Sequence, residues 1–576
     1  MVTLFSFYSV LSVNFLAVFA SIVLEKFNKK KASELVFPLL AFVDVFFSFL
    51  VFIGADGNLQ TAVFQLLFKE NFYLTYGFIV DKASVTYLLI LAIIYFCVFV
   101  FCYSFSIVGT SKNAIFSILS SQIFFLKIAI LATGFFQLIL GMDLALLFAG
   151  ILIVNGRRQD ESKDSLLSFM VFETIGSFLI FVAFAIWLST FGNDGFVQDN
   201  NFENKKELIN IVSSLLWLFV WVKGGFIIGN LVFIKTSRAH FPSFIVTATI
   251  TVPLCFMIVM TRLSDVLLFN PKIVEIAMIL GVATVFLSPI FAVFEKDIAS
   301  SLAFLISSQM GLMITYFVLN GLDGFVFFAV FQITASLLYF LACGSLIEAF
   351  SSEYRLDKMG GAKKLLPATY FMMLVGAAFM LVPYLSIKIV KIDYMINVWE
   401  LLASGVFAFA VARIIICSCL GTTKAEDAVF ARVQERSLFI LSSMSVTAIF
   451  LSIVSYYIKF NMFSGYRLIA VAVGIFWAEK IYRRNICSKE VRFSFAEKAD
   501  MFFFKVVAFP MFRFGIALKN KVNNRILNRT IEKIIDKMFE LLKKFAKLYQ
   551  KNNFTFNALF FAVTLILTLS FVVFYK

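Results

Sequence analysis

Histidine occurs once in the 576 residues, at His240, and none of the seven cysteines forms a C-x-x-C pair. A structural zinc site, a cysteine-held iron–sulfur cluster and a disulfide framework are therefore not expected. No G-x-G-x-x-G stretch is present either, so the chain should bind no dinucleotide and hold no redox centre. Charge is scarce: Asp, Glu, Lys and Arg make up 15% of the chain, against about 25% in ordinary soluble domains. Apolar residues take up 61%, with a mean hydropathy of +0.94. That balance excludes a soluble globular protein and points to an integral membrane protein.

The apolar residues run in continuous segments near 4–24, 36–54, 84–108, 114–132, 135–155, 165–190, 208–234, 243–265, 272–294, 298–319, 323–349, 367–390, 396–420, 435–458, 463–479 and 554–575. A helix needs about 20 such residues to cross the hydrocarbon core, whereas a barrel would show short alternating stretches. The expected fold is all-α, a polytopic bundle of about 16 transmembrane helices. The first segment is followed by the basic run "EKFNKKK", the wrong flank for a cleaved signal peptide, and is kept as a span.

Basic clusters follow the odd-numbered segments, among them "KFNKKK", "GRRQDESK", "YRLDKMGGAKK" and "KIYRR". They collect on one face, which the positive-inside rule places in a mitochondrial matrix or a bacterial cytosol. The net charge of +15 then reads as orientation and lipid-headgroup contact, not nucleic-acid binding. The 77 phenylalanines keep no fixed period and suggest an AT-rich coding genome such as an organelle's.

One segment differs in kind. Over 525–549 apolar residues including Leu527, Ile531, Ile534, Met538, Leu541 and Phe545 recur mostly at three- and four-residue spacing, with lysines between them. This predicts an amphipathic helix about 40 Å long, lying along the membrane surface and leading to a last span at 554–575.

Lys223 is the only charge in 208–234 and stands beside Gly224 and Gly225. A central lysine costs at least about 2.5 kcal/mol on insertion scales, so it calls for a partner or a water-filled cavity. A helix broken by glycine at an ionisable group is how transporters line a midplane ion site. The other reading ends the span near Val222 and leaves Lys223 at the surface. Candidate partners are Asp143, the only charge in the fifth segment, Glu173 in the sixth and Lys127 in the fourth. Buried carboxylate–lysine sets of this kind exchange protons.

The stretch from "KGGFIIGNLVFIK" onward resembles the antiporter-like subunits of respiratory complex I: Lys223, Pro242, Thr251 and Arg262 fall in that family's register without a gap. "EKDIASSLAFLISSQMGLMI", with Asp297, Ser308, Gln309 and Gly311, is similar to the family's tenth span. "MGGAKKLLPATYF" is similar to the start of its twelfth. The long surface helix with a final anchoring span resembles the NADH dehydrogenase subunit 5 branch.

The resemblance implies inverted antiporter-like repeats, read here as an N-terminal part at 1–110, repeats at 111–265 and 266–420, additional helices at 421–485, a lateral helix region at 486–552 and an anchor at 553–576. It also implies a proton relay of Lys223, Asp143, Glu173, Lys391 and Asp393. FMN, iron–sulfur clusters and ubiquinone would then sit in partner subunits, with none in this chain. The partners would be other membrane-arm subunits, especially a neighbouring antiporter-like one, and lipid. The location would be the mitochondrial inner membrane, or a bacterial plasma membrane. Several family positions differ: Ser177 stands where the sixth span carries a carboxylate, Ala248 replaces a histidine, and Phe328, Gln332 and Ser336 replace His, His and Lys. Three functions stay open: a proton-translocating complex I subunit, a structural subunit of the same complex with a degraded path, and a cation/proton antiporter subunit outside it.

Overall fold

In hydrocarbon, only helices satisfy the backbone polar groups of an apolar run within the run itself. The computed structural model describes residues 2–27, 30–54, 59–69, 72–104, 112–154, 159–196, 205–224, 239–322, 324–350, 353–386, 394–421 and 465–482, with Phe233, Ile234, Thr236, Ser237 and Thr447. Its long helices are α1 (Val2–Lys26), α2 (Lys30–Gly54), α3 (Lys82–Ser104), α4 (Lys112–Ile130), α5 (Phe135–Val154), α6 (Gln159–Phe191) and α7 (Lys206–Lys223). Next comes α8 (Phe241–Arg262). The series closes with α9 (Pro271–Phe294), α10 (Ile298–Asn320), α11 (Phe325–Ala349), α12 (Pro367–Ser386), α13 (Tyr394–Cys419) and α14 (Gly465–Tyr482).

Among the described residues 12 helices are long and apolar enough to cross a membrane, and α7 and α14 are not among them. The expected spans at 435–458 and 554–575 and the amphipathic stretch at 525–549 lie outside the described residues, apart from Thr447. Cys417 is disulfide-bonded, although the sequence pointed to no disulfide framework. The other described cysteines, such as Cys255 and Cys343, are free and buried.

One element departs from an all-helical chain. Strands β1 (Leu59–Lys69) and β2 (Phe72–Val80) form an antiparallel hairpin with Leu59 opposite Val80 and Phe64 opposite Tyr76. The aromatic and β-branched content of "FYLTYGFIV" suits a strand. The hairpin is tied down by Asp194. One oxygen of its buried carboxylate accepts from the Thr75 amide (2.6 Å) and hydroxyl (2.7 Å), and the other from the Phe136 amide at the start of α5 (3.2 Å).

Backbone bridges sort the connections onto two faces. Phe78 pairs with Ala132 and Gly134 with Gly195, so the hairpin, the α4–α5 turn and the end of α6 share one face. Asp297 pairs with Arg355, and the Gly361 amide donates to the Leu420 carbonyl (3.2 Å), which puts the α9–α10 turn, 353–361 and the end of α13 on the other. That second face carries Arg355, Lys358, Lys363 and Lys364, as the loop charges led one to expect. Helices α4, α8, α10 and α11 form the buried centre. Helices α1, α2, α6 and α9 instead present side chains such as Phe19, Phe42, Phe178 and Ile279 outward, as lipid-facing helices do.

Charged pairs hold the ends of several helices. Arg413 on α13 donates to the Ala292 (2.9 Å) and Glu295 (2.6 Å) carbonyls, placing a cation at the C-terminal end of α9, where the helix dipole favours it. Glu400 on α13 is ion-paired with Arg467 on α14 in a buried position. At the hairpin-side face Arg262 binds Asp81 (2.8 Å) and the Ile130 carbonyl (2.9 Å), joining α8 to the starts of α3 and the α4–α5 turn.

Burial opposes ionisation of Asp81, but the Arg262 guanidinium and the hydrogen bonds from Ser84 outweigh it and hold the carboxyl below the usual carboxylate range. A carboxyl lowered on folding stabilises above its unfolded value, about 3.9, and loses that contribution as pH falls through the folded value. Asp81→Asn should therefore lower the thermal midpoint at pH 7 in detergent, and the gap to wild type should close below about pH 4. A gap that persisted unchanged at pH 3 would contradict this account.

Candidate functional site

Helix α7 stops at Lys223. Gly224 caps it in right-handed geometry (φ −76°, ψ −2°), its amide donating to the Val220 carbonyl at 2.8 Å. The two readings of this segment are thus reconciled: the helix does end beside Val222, but the lysine turns inward and its side chain is only 6% exposed. A lysine at the last turn also suits the negative end of the α7 dipole.

Three groups meet the ammonium. Nζ lies 3.0 Å from Asp143 Oδ1 on α5 and 2.9 Å from Glu173 Oε2 on α6. It donates as well to Ser177 Oγ (3.1 Å), whose own hydroxyl donates to Asp143 Oδ1 (2.7 Å). Glu173 and Ser177 are one turn apart on α6, which is why both reach the same point. Ser177 is the bridge between the ion-pair partners. Gly176 makes the room: a Cβ there would lie 2.6 Å from Lys223 Cε and 2.7 Å from Cγ. The ring of Phe219, one turn earlier on α7, sits 5.4 Å from Nζ.

The charge count gives the cluster its chemistry. Two carboxylates face one ammonium, so full ionisation leaves one excess negative charge, and a proton on either carboxylate neutralises it. The carboxylates differ in access: Asp143 is 34% exposed and Glu173 8%. Glu173 makes only the ionic contact, since neither of its oxygens has an aligned hydrogen-bond donor among the described residues.

The buried helices α4, α8, α10 and α11 also carry uncharged polar groups. Helix α8 contains a π-helical stretch, Val246–Thr251, just before Pro253, whose missing amide breaks the regular bonding pattern. Thr251 in that stretch accepts from Gln122 Nε2 on α4 (2.6 Å). Gln309 on α10 accepts from Ser336 on α11, and Ser308 shares a 2.7 Å hydrogen bond with Tyr384 on α12. The Thr247 hydroxyl, the Gln309 Nε2 and both polar ends of Gln332 are buried without a partner among the described residues. Buried polar groups are seldom left so, and water commonly satisfies those that are. Thr334, by contrast, is satisfied by its own helix at Val330 (2.9 Å).

Other expected members lie elsewhere. Lys127 is not part of the Lys223 cluster: it donates to both oxygens of Asp44 on α2 (2.8 Å each) and to the Val10 carbonyl on α1 (2.7 Å). Its three N–H groups are used up in that triangle, which corrects its place in the expected set. Asp44 was missed, although it is the only charge in 36–54, the same signal that marked Lys223. Lys391 and Asp393 lie outside the described residues.

A family model described as NADH:quinone oxidoreductase/Mrp antiporter, TM, matches residues 132–421, half of the chain and all of the site. The chain belongs to that family. Among curated relatives, the NADH-ubiquinone oxidoreductase chain 5 of Chondrus crispus is 25% identical over 353 residues, 59% of this chain and 53% of the relative. That of Schizophyllum commune is 24% identical over 446 residues, 74% of this chain and 64% of the relative. The chain thus spans between about half and two thirds of the length of the curated relatives it matches. Among solved structures, a chain of the Mrp complex from Dietzia sp. DQ12-45-1b superposes with a TM-score of 0.69 at 13% identity, covering 94% of this chain and 62% of that one. The fold is therefore the antiporter-like one, with α5–α13 as the part the family model covers.

Proposed function

We propose that this family member is the chain 5 type membrane-arm subunit of a proton-pumping NADH:ubiquinone oxidoreductase in the mitochondrial inner membrane, moving protons while partner subunits carry the FMN, iron–sulfur clusters and ubiquinone. The observation that carries the reading is Lys223, held at a helix end between two carboxylates of unequal access. A proton enters at Asp143, the more exposed member, and Lys223 shifts its pairing toward Glu173. The charge change is then felt along Thr247, Gln332 and Gln309, where water carries the proton onward. Lys391 and Asp393, which follow the end of α12, serve as the far end of the path.

The Asp143 side chain sits on a face with exposed Leu140, Leu147, Phe178 and Phe181. A carboxylate open to lipid is costly, and a neighbouring antiporter-like subunit packed on this face would cover it. A structural role within the same complex is the second reading, favoured by the uncharged middle at Ala248, Phe328, Gln332 and Ser336.

Two measurements separate the readings. The tagged chain should co-purify with subunits that contain flavin and iron–sulfur clusters; a chain isolated without them would support an independent antiporter. In the assembled enzyme, Thr247→Val combined with Gln332→Leu should lower the proton-to-electron ratio while leaving NADH oxidation by artificial acceptors unchanged. An unaltered ratio would favour the structural role.

A further inference from the structure

At the hairpin-side face the end of α2, the start of α3, the end of α8 and the start of α11 enclose a pocket of about 520 Å³. Its position along the membrane normal follows from the spans themselves. Lys82 opens the α3 span and Arg262 closes the α8 span, so the pocket sits where hydrocarbon gives way to headgroups. One wall is apolar, with exposed Phe52, Leu322 and Phe327, and the other carries charge.

The two cations of the charged wall are not equivalent. Arg262 is spent on Asp81 (2.8 and 3.4 Å) and the Ile130 carbonyl. Lys82 is exposed, and among the described residues its ammonium has no acceptor. A lysine at the membrane boundary, one wall apolar and the other with an uncommitted ammonium, matches an amphiphile with a negative head.

We propose that this pocket binds a membrane phospholipid, with Lys82 holding the phosphodiester and the Phe52–Phe327 wall receiving the upper acyl chain. The site lies on the face opposite the basic loops and outside the Lys223 cluster, so it does not depend on the proton path. Charge on the basic face would gather anionic lipid on the other leaflet only; this pocket gives the less basic leaflet a specific lipid contact of its own.

Native mass spectrometry of the detergent-purified full chain, in its complex if it is isolated in one, reads the binding directly, with dioleoylphosphatidylglycerol as the probe. Wild type should retain the lipid, Lys82→Gln should weaken it about tenfold, as expected for loss of a charge-assisted contact, and Lys82→Arg should restore it. Lys272→Gln, an exposed lysine on the same face outside the pocket, should leave it unchanged. Glycerol 3-phosphate, a soluble phosphate ester without acyl chains, should not displace the lipid at equal concentration. The proposal is overturned if Lys82→Gln binds like wild type, if Lys272→Gln weakens binding equally, or if glycerol 3-phosphate competes. Equal thermal midpoints of the Lys82 variants confirm that folding is not what is being read.

Discussion

Lys223→Met is expected to reduce coupled proton translocation at least about tenfold, and Lys223→Arg to do the same while leaving assembly intact. Methionine removes the cation from both carboxylates and leaves Glu173 buried without a counter-ion, a change of about 3–5 kcal/mol when one partner of a buried pair is lost, while Asp143 keeps partial exposure. Arginine keeps the positive charge but does not deprotonate in a protein, so it preserves the ion pairs and blocks proton release. The arginine variant is the informative one. A purely structural lysine would be rescued by it in both assembly and proton movement; a proton-carrying lysine would be rescued in assembly alone. Proton uptake by reconstituted vesicles, measured beside NADH oxidation, distinguishes the two.

The largest effect on stability should come from the Lys127–Asp44 pair. With side-chain exposures of 0% and 5%, neither group can reach water when its partner is removed. Lys127→Met alone should destabilise by about 3–5 kcal/mol, because it strands a carboxylate among α1, α2 and α4. The double variant Asp44→Leu, Lys127→Met should recover most of that loss, since an apolar replacement of a whole buried pair is often close to neutral. Unfolding in detergent, followed for both single variants and the double, gives the coupling energy. A Lys127→Met loss below about 1 kcal/mol would mean that the triangle with Val10 is not what fastens α1 and α2 to the core. Proton translocation by the double variant should match wild type, which separates this pair from the Lys223 cluster.

The sequence made the helices legible because hydrocarbon leaves an apolar run few alternatives, and the segments from 4–24 to 396–420 each fall on one of α1–α13, although α7 ends at Lys223, well short of the expected 234. Lys223 was legible for the same reason: a single charge in an apolar segment demands an explanation. Asp44 gave the same signal and was passed over, since no family motif drew attention to it. The hairpin at 59–80 fell between the apolar segments, because polar residues such as Gln60, Gln65, Lys69 and Glu70 interrupt it and a search for continuous apolar runs passes over it. Ser177 was read as a lost carboxylate. That its hydroxyl spans Lys223 and Asp143 depends on the distance between α5 and α6, which no residue pattern encodes. Gly176 is similar, since its role as the space for a lysine stem exists only once α6 and α7 are packed together.

The π-helical stretch in α8 sets a phase. A turn with one residue too many rotates everything before it by about 100° relative to an unbroken α-helix. Position-by-position matching of α8 against a regular helix therefore assigns the inward direction to the wrong residues. In α8 the buried hydroxyl without a partner among the described residues belongs to Thr247, inside the π-helical stretch. Which polar group is left open in the interior is thus chosen by how the helix is wound as much as by which residue occupies a given place in the sequence.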